Sequence, residues 1–255
     1  MLLAAGTLWT REIVRFYRQP SRIVGALGSP LLFWVLIGSG LGRSFKAEGS
    51  LQGGYLEYFY PGTLALIVLF TAIFSTISII EDRQDGFLQG VLVAPVPRVA
   101  IVLGKILGSA TLALMQAALF LLLAPLTYGG LGAATWAALL GVLAVIAFGL
   151  SGLGFLIAWR LNSTQGFHAI MNLFLVPMWM LSGALFPASG ATGWIQSLMW
   201  INPLTYGVSA LRSTIYGHVS PGEPSVGVSL AVLSVFSAAV LAAGAWQVHQ
   251  DRSAR

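Results

Sequence analysis

Five long runs of this chain, residues 23–42, 58–80, 106–159, 161–211 and 224–250, contain no Asp, Glu, Lys or Arg. Folding in water leaves too much surface for uncharged side chains alone to cover. A bilayer imposes the pattern instead, because a charge in hydrocarbon costs several kcal/mol. The composition agrees. Of 255 residues, 57% are hydrophobic and 8% charged, whereas about a quarter are charged in an ordinary globular domain. A spanning helix needs about 20 apolar residues, and two of the runs are long enough to cross twice. What remains is short loops, too little for a separate catalytic domain of ordinary size.

The chain reads as all-α, a polytopic helical membrane protein and a single transmembrane domain over 1–255. An N-terminal amphipathic helix is expected over 1–22. Arg11, Arg15, Arg18 and Arg22 recur at spacings that stack them on one helical face, with Trp9, Ile13, Phe16 and Tyr17 roughly opposite. Such a helix lies in the membrane interface, its arginines toward anionic headgroups, and Gln19-Pro20 breaks it. Six spans follow, over about 23–42, 58–80, 99–128, 133–159, 168–186 and 226–248. Lys105 is close enough to the end of its span to snorkel. The segment 188–206 is too broken for a full span and too apolar for an open loop. It predicts short re-entrant helices dipping into the outer leaflet.

With the N-terminus inside and six crossings, the inner side holds Arg11, Arg15, Arg18, Arg22, Arg83, Arg98, Lys105, Arg160, Arg252 and Arg255. The outer side holds only Arg43, Lys46 and Arg212. That bias places both termini in the cytoplasm. It also accounts for the net charge of +5 without nucleic acid as a partner.

Several chemistries lack their residues. The chain has no cysteine, hence no disulfide and no thiolate metal site. There is no G-x-x-x-x-G-K-[ST] phosphate loop and no H-E-x-x-H zinc pair. A G-x-S-x-G nucleophile elbow is also missing. His168, His218 and His249 are far apart in sequence. No catalytic residue, metal site or bound cofactor is expected. No Asp, Glu or Lys falls in mid-span, where an ion-coupled relay needs one. An ion-coupled secondary transporter or channel subunit is therefore the alternative reading, and an intramembrane enzyme a third.

The strongest local signal is the segment 81–98. It opens with Glu81, Asp82, Arg83 and Asp85, turns apolar through Gly86-Phe87-Leu88-Gln89 and Val91-Leu92, and closes on Ala94-Pro95-Val96-Pro97-Arg98. A short helix there would lie across the cytoplasmic face, with Phe87, Leu88, Val91 and Leu92 free to pack into a partner's groove.

These motifs resemble the membrane subunit of ABC-2 type exporters, the group that includes drug-resistance, polysaccharide-export and nodulation-factor-export permeases. Gly104-Lys105 follows at the family's position. Pro61-Gly62 opens the second span, Ser182-Gly183-Ala184-Leu185-Phe186-Pro187 ends the fifth, and Asn202-Pro203-Leu204-Thr205-Tyr206 with Arg212 closes the outer segment. The resemblance implies a permease in a bacterial inner membrane that exports a drug-like, lipid or glycan cargo. It pairs with a second copy or a related permease, and with a cytoplasmic ATP-binding cassette subunit that carries ATP and Mg. The segment 81–98 would be the coupling helix, with Glu81, Asp82, Arg83, Asp85, Gly86, Phe87, Leu88, Gln89, Leu92, Pro95 and Arg98 at the contact. Gln89 departs from the Glu that many members carry there.

Read by themselves, Pro61-Gly62 suits a helix start, Asn202-Pro203 a turn, and Arg212 an interfacial anchor. Trp159, Trp194, Trp200 and Trp246 suit an aromatic belt. Ser75, Thr76, Ser78, Gln116 and Asn172 suit hydrogen bonds between helices.

Overall fold

The computed structural model describes residues 2–18, 20–41, 54–220 and 222–250, without the side chains of 20–27, 29 and 41. Gln19, Arg43, Lys46, Glu48, Arg252 and Arg255, and the side chain of Arg22, therefore lie outside the described residues. Among those described there is no strand. The helices are α1 (Leu2–Tyr17), α2 (Pro20–Leu41), α3 (Tyr55–Ser75), α4 (Ser78–Gln84), α5 (Phe87–Val93), α6 (Arg98–Leu121), α7 (Ala124–Tyr128), α8 (Ala133–Arg160), α9 (Thr164–Trp179), α10 (Gly193–Ile201), α11 (Pro203–Tyr216) and α12 (Val226–Gln250). A π-turn, Met180–Ala184, extends α9.

Among the described residues, five helical units are long and apolar enough to cross a membrane: Tyr55–Gln84, Arg98–Leu121, Ala133–Arg160, Thr164–Ala184 and Val226–Gln250. The expected first span corresponds to α2, which is 22 residues long. This is a polytopic helical membrane protein. Arg22 belongs to α2, not to the amphipathic helix, which ends at Tyr17. Pro20 opens α2, where its missing N–H costs nothing.

Helix α3 is the axis of the bundle. Nearly every residue from Tyr58 to Ile73 is buried, as befits a helix that is apolar all round. α2, α6, α8, α9 and α11 pack around it. Lipid gives apolar surfaces no reason to leave it, so close approach must come from small residues. A Cβ on Gly152 of α8 would lie 2.4 Å from Val240 of α12, and one on Gly154 would lie 2.8 Å from Thr76. α12 packs on α8, α11 and α6 and leaves Val228, Val235 and Trp246 exposed.

Pro61 lies inside α3 rather than at its start. Proline removes one backbone donor and so frees the carbonyl four residues earlier, that of Glu57. Two hydroxyls take up that oxygen, Tyr128 at 2.6 Å and Tyr216 at 3.4 Å. Gly62 stands where a Cβ would meet Ala184 of the π-turn at 2.6 Å. Its own carbonyl accepts a hydrogen bond from the Trp179 indole at 2.8 Å.

Candidate functional site

Two polar assemblies mark opposite ends of the bundle. The first surrounds the segment 81–98. At the end of α3 the hydrogen bonds tighten: the Thr76 and Ile77 amides reach only to Ile73 and Phe74, and the Thr76 hydroxyl also donates to Ile73 at 2.6 Å. α4 then continues the chain to Gln84. Gly86 sits at φ +76°, a left-handed terminator that side chains with a Cβ disfavour, and it swings the chain into α5. Pro95 and Pro97 bar any continuation of that helix, and α6 starts at Arg98. The segment is thus two short helices across a glycine turn, where a single helix was expected.

Its charges other than Asp85 point inward. Asp82 is 0% exposed and receives Arg11 through two hydrogen bonds of 2.7 Å, Arg15 at 2.9 Å, and the Lys105 ammonium. Lys105 also donates to Glu12 at 2.5 Å, and Arg15 pairs with Glu81 at 2.7 Å. Three carboxylates from α1 and α4 therefore face three cations from α1 and α6. The hydrogen bond to Asp82 holds the Arg11 pKa above its ordinary value, and the same guanidinium lies 3.7 Å over the Phe87 ring. Gly104 and Gly108 admit α1 to this contact. A Cβ on Gly104 would lie 2.8 Å from Leu8, and one on Gly108 would lie 2.7 Å from Glu12. A cavity of about 250 Å³ opens beside Glu12, Arg15, Phe16, Thr71, Phe74 and His168.

This geometry corrects three expectations. Arg11 and Arg15 meet carboxylates of α4, not headgroups; only Arg18 of the described arginines on that face is exposed. Lys105 does not snorkel: it is 2% exposed, because two carboxylates reach it inside the bundle. Leu88, expected to be free for a partner, is 2% exposed and closes on the chain's own core. Phe87 and Leu92 are half-buried against the same core. What α4 and α5 leave exposed is Gln84, Asp85, Gly86, Gln89, Gly90 and Val93, followed by Pro95 and Pro97.

The two arginines of the segment bind helix ends. Arg83 donates to the carbonyls of Trp159 and Leu161 at 2.6 and 3.1 Å, and to the Asn162 side chain at 2.9 Å. Arg98 donates to the carbonyls of Val248 and His249 at 2.6 and 2.9 Å. The segment, the C-terminal ends of α8 and α12, and the start of α6 therefore share one end of the molecule.

The second assembly holds the opposite end. The π-turn contains Gly183 at φ +80°, and the irregular backbone releases carbonyls. Side chains take up four of them. Asn202 donates to Met178 at 2.6 Å, Thr205 to Leu181 at 3.2 Å, Tyr58 to Gly183 at 3.0 Å and Tyr55 to Leu185 at 3.1 Å. Asn202 also caps α11 by accepting from the Leu204 amide at 3.0 Å, with Pro203 in the first turn. Tyr206 donates to Trp200 at 3.0 Å. Arg212 was expected to anchor at the interface. Instead it is 2% exposed, donates to Gly183 at 2.9 Å, pairs with Glu223 and lies 4.3 Å over the Tyr58 ring. The outer segment runs on past Tyr206, since α11 continues to Tyr216.

Within the spans, Thr71 bonds Gln116 at 2.5 Å and Lys105 reaches Ser78 at 3.4 Å, both between helices. Trp194 and Trp246 are exposed, whereas Trp159 is buried and stacks on Phe155.

The family model described as ABC-2 type transporter matches residues 4–216. Nodulation protein J of Neorhizobium galegae is 26% identical over 223 residues, covering 84% of this chain and 82% of that protein. Nodulation protein J of Rhizobium meliloti (strain 1021) is 28% identical over 219 residues, 82% of this chain and 80% of that one. The "Probable multidrug ABC transporter permease YbhR" of Escherichia coli (strain K12) is 27% identical over 153 residues, 60% of this chain and 42% of its own length.

Proposed function

The chain belongs to the ABC-2 type transporter family, and we propose that it is the membrane permease subunit of an ATP-driven exporter whose ATPase docks on the exposed edge of α4 and α5. The observation that carries this reading is the division of the segment 81–98 into two sides. Its ion-pairing side chains are spent on α1, α6, α8 and α12, and Leu88, Phe87, Val91 and Leu92 pack on the chain's own core. Its other edge, with Asp85, Gln89 and Val93, the last 74% exposed, is left for a partner at the end of the bundle. A short helix presented that way fits a groove on a second protein.

ATP and Mg belong to that partner, a cytoplasmic ATP-binding cassette subunit, and this chain has no ATPase site of its own. Closure of the partner would press on α4 and α5 and shift the packing around α3. The excess of inner Arg and Lys supports an N-in, C-in orientation in a bacterial inner membrane. A second permease, identical or related, would complete the path. The cargo would be a drug-like, lipid or glycan molecule.

Co-purification tests the reading. A cytoplasmic ATPase should come with the unsubstituted chain, and Val93→Asp together with Gln89→Arg should abolish that association while leaving insertion unchanged. Undiminished association in the double variant, or flux driven by a pH or sodium gradient through the chain alone, would refute it.

A further inference from the structure

The two arginines that flank α5 bind the ends of two other helices. Arg83 lies in the last turn of α4, and Arg98 opens α6. The final carbonyls of a helix have no partner within it and carry the negative end of its dipole. A guanidinium is suited to them because its planar fork can serve two oxygens at once. Arg83 joins the carbonyls of Trp159 and Leu161 at the end of α8, and Gln84 adds a bond to the Asn162 carbonyl at 2.8 Å. Arg98 joins the carbonyls of Val248 and His249 at the end of α12. Beyond these ends α8 and α12 run together, with Gly149 and Gly152 against Ser237 and Val240. They form one paired unit whose two C-terminal ends, side by side, are each held by one arginine.

We propose that Arg83 and Arg98 are positioning residues that carry displacement of α4–α5 to α8 and α12, rather than contacts for the ATPase. The inference rests on the reading that α4–α5 receives the ATPase stroke. A load on the exposed edge of α5 reaches α1 and α6 through the Asp82 ion cluster, and it reaches the ends of α8 and α12 through the two guanidiniums. Each arginine addresses a different helix, so the two guanidinium routes are separable. A purely structural cap would lower stability without changing how a helix end answers nucleotide.

Hydrogen exchange read by mass spectrometry separates these roles in the complex with its ATPase, in lipid nanodiscs, with and without ATP plus vanadate. In the unsubstituted complex, trapping should alter exchange in α4–α5 and in the last turns of both α8 and α12. In Arg98→Gln the response at the end of α12 should fall about fivefold or more, a typical allosteric coupling, while the end of α8 still responds. Arg83→Gln should show the reverse. Arg98→Lys and Arg83→Lys, which keep the charge but lose the fork, should recover part of each response. They also supply the reading if a glutamine variant fails to insert. Equal responses at both ends in all variants would overturn the inference while leaving the docking edge intact. A nucleotide-insensitive unsubstituted complex, or one without a bound ATPase, would overturn the functional reading and this inference with it.

Discussion

Lys105 and Glu12 meet at 2.5 Å, from helices far apart in the chain, and both are almost fully buried. The same ammonium binds Asp82. Its removal takes from Glu12 its close partner, leaving only Arg11 at 3.7 Å, whereas Asp82 keeps Arg11 and Arg15. Breaking a buried pair from one side costs about 3–5 kcal/mol, so Lys105→Met should destabilise the chain by about that amount in a detergent-unfolding titration. Adding Glu12→Gln should recover a substantial part, whereas Asp82→Asn should not, because it leaves Arg11 and Arg15 without their carboxylate. A Lys105→Met variant as stable as the parent would mean that the pair is not formed in the membrane.

The glycine spacing under α1 leads to a second expectation. Gly104 and Gly108 are one helical turn apart, and each lies against α1 with no room for a Cβ. Gly104→Val should lift α1 off α6. The chain has no native cysteine, so a single Cys at buried Ala5 reports the separation directly. Maleimide labelling there should be slow in the parent and at least about tenfold faster with Gly104→Val, the change expected if the contact is worth ~1.4 kcal/mol. Equal labelling rates would refute the close packing.

Much of the fold was legible in the charge-free runs and in Pro20, because a bilayer leaves a coarse signature: length, apolarity and breaks. The direction of each charged side chain was not. Lys105 near a helix end reads the same whether it snorkels or pairs, and the difference depends on Glu12 and Asp82 arriving from elsewhere. One usable signal was Gly104-x-x-x-Gly108 bracketing Lys105, since small residues one turn apart admit a neighbouring helix. Arg212 had no such flag, because its site is built from Gly183, Tyr58 and Glu223, which only the folded chain brings together. Leu88 looked free for the same reason: nothing in the segment tells which side of a two-helix turn faces the core.

The carbonyl released by Pro61 gives a third prediction. Tyr128→Phe removes the nearer donor to Glu57, and the Tyr216 hydroxyl at 3.4 Å is left to tighten, so the cost should be about 1 kcal/mol. Tyr128→Phe with Tyr216→Phe leaves the oxygen without either hydroxyl and should cost more than the two single losses added. Pro61→Ala restores an N–H four residues on and should relieve most of that excess. If Pro61→Ala gives no relief in the double variant, the tyrosines serve some other purpose.

Arg212 gives the sharpest test of the opposite end. It serves the Gly183 carbonyl, the Glu223 carboxylate and the Tyr58 ring together, and Gly183 is the left-handed residue on which the π-turn pivots. Lysine keeps the charge but offers a point rather than a fork, so it cannot reproduce the two separate nitrogens by which Arg212 reaches Glu223 and Gly183. Arg212→Lys should therefore lose about 1 kcal/mol, the net worth of one hydrogen bond, because the Gly183 carbonyl keeps the Tyr58 hydroxyl. Arg212→Met should lose more, because Glu223 is then an unpaired charge beside buried backbone. Glu223→Gln in the methionine background should return part of that difference and leave the Gly183 defect in place. Protease sensitivity around the π-turn should follow the Gly183 defect and not the charge. If Glu223→Gln restored both stability and protection, Arg212 would be there to neutralise a carboxylate and the π-turn would hold its shape without it.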